Sequence, residues 1–273
     1  PLTGLLGLTG IPFMNVFNAC ATGAATIQQA ANAIVAGVAD VAVAVGMDKH
    51  ARGSFKADPG LTNVPTWYGD NGQFVTTKFF GMKINRYMHD HGISTETLAR
   101  VAAKNFRNGV HNPNAFRRSP MAVEDILAAP VLNHPLTQYM FCAPDEGAAA
   151  VVLCRADLAP RYTEAPVYVK ATAIRTRNYG AYEVNTTWAA VDEDVSPTVY
   201  ASRAAYEESG IGPGDVDVLQ LQDTDAGAEV IHMAENGFCA DGEQEKLLAE
   251  GATEVGGRLP VNTDGGLIAN GEP

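Results

Sequence analysis

Cysteine is scarce in this chain. There are four in 273 residues (Cys20, Cys142, Cys154 and Cys239), widely separated and without a CxxC pair. That spacing argues against a disulfide framework and against a zinc site, and makes reduced thiols in a cytoplasmic setting the expectation. Long apolar runs are missing as well, so no segment reads as a membrane span. Basic residues are few: 19 Lys and Arg face 31 Asp and Glu, a formal charge of −12. A broad electrostatic attraction to nucleic acid or to an anionic membrane is not expected of such a chain. Neither a signal peptide nor a Met opens the sequence, and it stops at GEP directly after a glycine-rich run, so both ends read as truncated. What remains is enough chain to bury a large core, as one large domain or two packed halves, with a role on a small molecule in solution.

The segment IPFMNVFNA, from Ile11 to Ala19, suits a buried strand. Beyond it, Ile27, Ala31, Ile34, Val35 and Val38 recur at the spacing of one helix face, and Gly37 ends that helix. DVAVAVG, from Asp40 to Gly46, is a continuous apolar run of the kind covered on both faces, which completes a strand-helix-strand unit. Residues 50–77 show no period and read as an excursion or lid. KFFGMKINRYMHDHG and STETLARVAAKNFRNGV predict two helices, the second opened by Ser94 and Glu96, and residues 121–129 a short third. GAAAVVLC and VYVKATAI read as strands on either side of a linker near residues 159–166. Ser196 and Pro197 open a further helix, and DVDVLQLQD predicts a buried strand running into another. The alternation favours an α/β protein with mostly parallel sheets.

Cys20 falls where a strand gives way to a helix. Unpaired helix N–H groups and the helix dipole there stabilise a thiolate, lowering a reference pKa of about 8.5 toward neutrality. Ala19, Ala21 and Gly23 leave room for a bulky acyl chain to reach the sulfur. The competing reading is a small apolar residue packed where a larger one would clash.

Several segments, in order along nearly the whole chain, resemble the thiolase superfamily, in particular its sterol-carrier-protein-X-type or non-specific lipid-transfer branch. These are NACATG with its Ala-rich helix and VAVGMDK, then FGMKINRYMHDHG, KNFRNGVHNPNA, CAPDEGAAAVVL and VNTDGGLIANGEP. The resemblance implies a thiolase fold of two related αβα halves stacked in five layers. The halves would be residues 1–159, with a loop and helical insertion at about 50–140, and an incomplete 167–273. It implies that Cys20 takes an acyl group as a thioester, and that a second catalytic Cys would lie beyond Pro273. VNTDGGLIANGEP is similar to the Asn-x-x-Gly-Gly-x-x-x-x-Gly-His-Pro loop, with Asn262, Gly265, Gly266 and Gly271 as substrate-side residues. Glu272 then occupies the place of the catalytic His. It cannot act as a neutral imidazole base, and its carboxylate would oppose a neighbouring thiolate. Gln222 and Asp223 stand where the family has Asn-Glu-Ala-Phe or His-Asp-Cys-Phe, and Gln222 keeps amide donors for a water on the thioester oxygen.

Three functions follow from that resemblance. The first is acyl transfer on a lipid- or steroid-derived 3-ketoacyl-CoA. The second is retro-aldol cleavage of a β-hydroxyacyl-CoA, with tyrosine acid/base groups and a small OB-fold partner. The third is acyl-CoA or lipid binding without turnover. Coenzyme A enters as substrate, with no permanently bound cofactor and no metal expected, and the resemblance implies a homodimer. His89 and His91 flank Asp90, but a helix cannot aim positions two apart at one ion, so they read as solvated surface. Asp223 and Asp225 also admit a simpler reading, as acidic residues at a helix N-terminus. Tyr68, Tyr87 and Tyr139 read as packing residues, with a tyrosine base conceivable under the aldolase reading.

Overall fold

The computed structural model describes residues 4, 5, 7, 10–49, 66–70, 76–178 and 195–272. The chain divides into two compact units, each drawn from separate stretches: residues 1–47 with 148–174, and 48–147 with 175–273.

In the first unit a 3-10 turn, Ala19–Ala21, leads directly into helix α1, Thr22–Val35. Gly37, at φ 71°, ends it. Strand β1, Val41–Lys49, follows and pairs with β4, Glu146–Cys154, in a two-stranded sheet. Arg155, just past β4, clamps the start of β1 by donating to Asp40 Oδ1 at 2.9 Å. The expectation that β1 is covered on both faces fails: of its nine residues only Ala44 is buried. An apolar run shows that a strand is favoured, but cover depends on neighbouring layers, and among the described residues β1 has one neighbour strand. IPFMNVFNA and VYVKATAI form no strand either, since each lacks a ladder partner among the described residues.

The second unit is built around helices. Helix α2 spans Thr76–His91, α3 Thr95–Gly109 and α4 Val123–Ala128, followed by the small antiparallel pair β2, Val131–Asn133, and β3, Leu136–Thr137. After the linker come α5, Pro197–Ser209, α6, Ala226–Glu235, α7, Gln244–Ala249, and the short α8, Gly266–Asn270. The capping residues read from sequence act as expected. Ser94 Oγ accepts from Thr97 N–H at 3.2 Å, and Ser196 Oγ from Thr198 N–H at 3.3 Å with Pro197 in the first turn. Ser94 also donates to Glu245 on α7 at 2.6 Å, so the cap of α3 doubles as a tertiary tie.

Helix α3 is the axis of this unit. Along its length Glu96, Arg100 and Arg107 are exposed and Thr95 is half-buried, the three exposed residues forming a single stripe held by ion pairs Arg100–Glu96 and Arg107–Glu254. Its other faces meet Ile84, Ile126, Leu136, Met140, Val230 and Ile268 in one continuous apolar cluster. DVDVLQLQD is not a strand: Leu219 makes one parallel bridge, to Val261, and the chain then turns into α6. The excursion expected at residues 50–77 falls mostly outside the described residues, apart from one helical turn, Trp67–Asp70. Among the described residues no helix is long and apolar enough to cross a membrane.

Candidate active site

Cys20 lies in the turn that opens α1 and is exposed. The turn is shaped locally. Thr22 Oγ1 accepts from Asn18 N–H at 2.8 Å and donates to Ala19 C=O at 2.7 Å, while Ala21 N–H donates to Asn18 C=O at 3.0 Å. The residue before the cysteine, Ala19, has φ 43°, a left-handed conformation costing a residue with a Cβ about 1–2 kcal/mol. Such strain concentrates at functional turns. It places Cys20 in the turn directly before a 14-residue helix.

The remaining sequence candidates belong to the second unit, where Asp223, Asn262 and Gly265 meet α3. Asp223 is fully buried. Its Oδ1 accepts from Leu267 N–H at 2.6 Å, and its Oδ2 from Asn105 Nδ2 at 2.7 Å and Ile268 N–H at 3.3 Å. It therefore caps the first turn of α8. Burial and the nearby Glu229 push its pKa well above the ordinary range, opposed by the two backbone N–H groups and Lys104. Asn262, also fully buried and at φ 52°, donates to Glu229 Oε2 at 2.8 Å and accepts from Leu221 N–H at 2.9 Å. Both residues tie the glycine loop to the helices beneath it.

Two glycines are required there. A Cβ on Gly265, at φ 107°, would stand 2.8 Å from Gly109 Cα of α3, and one on Gly266, at φ 57°, would collide with the Asp223 carboxylate. Gly271 closes α8 at φ 89° and delivers Glu272.

Glu272 is fixed by its backbone to the segment after β3. Its N–H donates to Ala143 C=O at 2.9 Å and its C=O accepts from Asp145 N–H at 3.1 Å. Its Oε2 accepts from the Cys142 thiol at 3.2 Å. Gln222 is exposed and donates to Thr224 Oγ1 at 3.3 Å, which leaves amide hydrogen-bonding capacity facing outward. Arg117 lies against this site. It donates to Phe141 C=O at 2.9 Å and Ile268 C=O at 3.1 Å, with its guanidinium over the rings of Phe106 and Tyr139. Burial lowers its pKa. Tyr87 is a poor base: burial and its bond to Asp241, at 2.6 Å, push its phenol up. The side chain of Tyr68 lies outside the described residues.

Comparison with known proteins gives the family. A model described as "Thiolase, N-terminal domain" matches residues 2–125, and one described as "Thiolase C-terminal domain-like" matches residues 183–273. The chain is 31% identical to benzoylsuccinyl-CoA thiolase subunit BbsB of Thauera aromatica, over 98% of this chain and 68% of that protein. The chain belongs to the thiolase family. It is also 30% identical to sterol carrier protein 2 of Homo sapiens, over 98% of this chain and 51% of that one. A solved structure entitled "Ltp2-ChsH2(DUF35) aldolase" superposes with a TM-score of 0.79 at 27% identity, over 90% of this chain and 64% of that chain. Thiolase fold and thiolase-like acyltransferase ancestry are therefore established for the chain.

The polar layer under the glycine loop of this thiolase-family chain is not evident from the sequence. Lys104 Nζ lies 2.6 Å from Glu229 Oε1 and donates to Val261 C=O at 2.9 Å, with both side chains fully buried. Asn105 Nδ2 bridges Asp223 and Glu229, at 2.7 and 3.0 Å, and Asn108 Nδ2 donates to Asn262 C=O at 2.9 Å. The available signal was weak: Lys104, Asn105 and Asn108 share one side of a helix that is otherwise Ala-rich. Cys142, the partner of Glu272, carried no sequence signal of its own.

Proposed function

We propose that this thiolase-family chain handles coenzyme A thioesters, with Cys20 carrying the acyl group in a transfer from a lipid- or steroid-derived 3-ketoacyl-CoA. The observation that carries this reading is the exposed thiol in the turn opening α1, behind the left-handed Ala19. The Cys20 thiolate adds to the C3 carbonyl and the C2–C3 bond breaks. The electron pair leaves on C2 of acetyl-CoA, which takes up a proton, and Cys20 keeps the acyl group as a thioester. The thiol of an incoming coenzyme A gives up its proton and displaces Cys20. In this reading Gln222 holds the water that donates to the thioester oxygen, and Glu272 occupies the acid/base position.

A second reading is favoured by one feature: position 272 is a carboxylate held by a thiol, where thiolysis calls for a neutral imidazole. In that reading a β-hydroxyacyl-CoA is cleaved by retro-aldol reaction, with a small partner like the DUF35 protein named in the aldolase structure. One experiment separates the two. On mixing with a 3-ketoacyl-CoA, intact-mass and peptide analysis should show an acyl adduct on Cys20, absent in Cys20→Ala. Ketone release from a β-hydroxyacyl-CoA that survives Cys20→Ala would overturn acyl transfer in favour of the aldolase. Neither outcome, with acyl-CoA still bound, would leave a binding protein.

We further propose a homodimer. Strands β1 and β4 present Val43, Met47, Val151 and Val152 to solvent, at 58, 69, 47 and 67% exposure, a patch that a second chain would cover. Sedimentation at micromolar concentration should give twice the 28.8 kDa chain mass. A single-chain mass across the whole concentration range would rule the dimer out.

A further inference from the structure

Cys142 lies where three stretches of the second unit meet. Its N–H donates to Thr224 C=O at 2.8 Å, the next residue accepts from Glu272 N–H, and its side chain is 7% exposed. The thiol faces Glu272 Oε2 at 3.2 Å. Burial, then the charge of Glu272 and the hydrogen bond to it, then Asp223, all push the thiol pKa far up, and Arg117 opposes them only in part. The sulfur therefore keeps its hydrogen under working conditions, and to a carboxylate it can act only as a donor. Among the described residues Oε1 of Glu272 has no hydrogen-bond partner, so the two oxygens of this carboxylate are inequivalent: one is bonded to the thiol and one carries no such bond.

We propose that Cys142 is the positioning residue of Glu272, its S–H fixing one carboxylate oxygen so that the other is presented to substrate. The inference rests on the acid/base role given to Glu272 above. A glutamate has three side-chain torsions, and its backbone bonds to Ala143 and Asp145 settle none of them. The thiol bond is what selects the rotamer. A cysteine suits the task because it adds no charge, and an ionised neighbour would repel the carboxylate it is meant to hold.

The test uses the full chain and two readouts. The first is the infrared S–H stretching band, assigned to Cys142 by its loss in Cys142→Ala. The proposal expects a band displaced toward low frequency by a strong acceptor, persisting at pH 9 where an ordinary thiol of pKa about 8.5 is mostly ionised. In Glu272→Gln the band should move toward the position of a weakly bonded thiol. The second is turnover of a 3-ketoacyl-CoA. Cys142→Ala should lower kcat about tenfold with KM unchanged, while Cys142→Ser, which keeps a donor, restores most of it. A purely structural role would show Ala and Ser alike. An S–H band indifferent to Glu272→Gln, or equal kcat in the Ala and Ser variants, overturns the proposal even if the chain is active. A band that shifts as expected in a chain that turns over no thioester supports the positioning contact and removes the acyl-transfer reading alone.

Discussion

Lys104→Met is expected to destabilise the chain by about 3–5 kcal/mol, the scale set by breaking a buried ion pair from one side. The side chain is fully buried, and it supplies the cation facing two buried carboxylates, Glu229 at 2.6 Å and, more distantly, Asp223. Removing it leaves Glu229 with two amide donors, Asn105 and Asn262, and no opposite charge. The damage would spread to the glycine loop, because Val261 C=O loses its donor and Asn262 is bonded to the same carboxylate. Lys104→Met combined with Glu229→Gln should recover most of the loss, since a glutamine oxygen still accepts from Asn262 and the carboxylate nearest the lost cation is gone. Urea denaturation of the two single variants and the double variant gives the coupling directly. A single variant within about 1 kcal/mol of the parent would show that water reaches Glu229, and that the network is not the tie between α3 and the loop.

This network marks the limit of what the residues alone reveal. Helix α3 was legible from its apolar spacing and its Ser94 cap because both are local properties. Lys104 was not legible, because a lysine on an amphipathic helix ordinarily reads as solvent-facing. What buries it is Glu229, 125 residues further along the chain. The glycine loop could be read because a left-handed backbone at Gly265 and Gly266 demands glycine whatever surrounds it. The apolar segments at 11–19, 167–174 and 216–223 failed as strands for the opposite reason. A strand exists only with a partner across the ladder, and Leu219 finds that partner, Val261, at one bridge only. Cys20 stood out by its place before a helix, whereas Cys142 reads as a small apolar residue until Glu272 is brought against it.

Asp225→Asn is expected to stabilise the chain in a pH-dependent way, by on the order of 2–4 kcal/mol above pH 7 and by little or nothing below pH 4. Asp225 caps α6, its Oδ1 accepting from Gly227 and Ala228 N–H at 2.8 and 3.2 Å. Its Oδ2 is buried and, among the described residues, has no hydrogen-bond partner, beside a small cavity lined by Phe80, Lys83, Ile84, Ile231 and His232. Burial pushes this carboxyl up to about 7, against the pull of the two N–H groups and Lys83, and Glu272 adds to the rise. The unfolded chain holds the same carboxyl near 3.9. Between those values the folded state binds the proton that the unfolded state has released, so stability falls as pH rises through the window and stays at its lower level above it. An asparagine retains an oxygen for the cap and cannot ionise, so it removes that fall. Urea midpoints measured from pH 4 to pH 8 should diverge steadily between parent and variant, while Asp225→Ala should lie below Asp225→Asn at every pH through loss of the cap, by about 1 kcal/mol. A difference that does not change with pH would mean that Asp225 does not titrate in this range, and that its unpartnered oxygen is satisfied by water in the cavity beside Lys83 and His232.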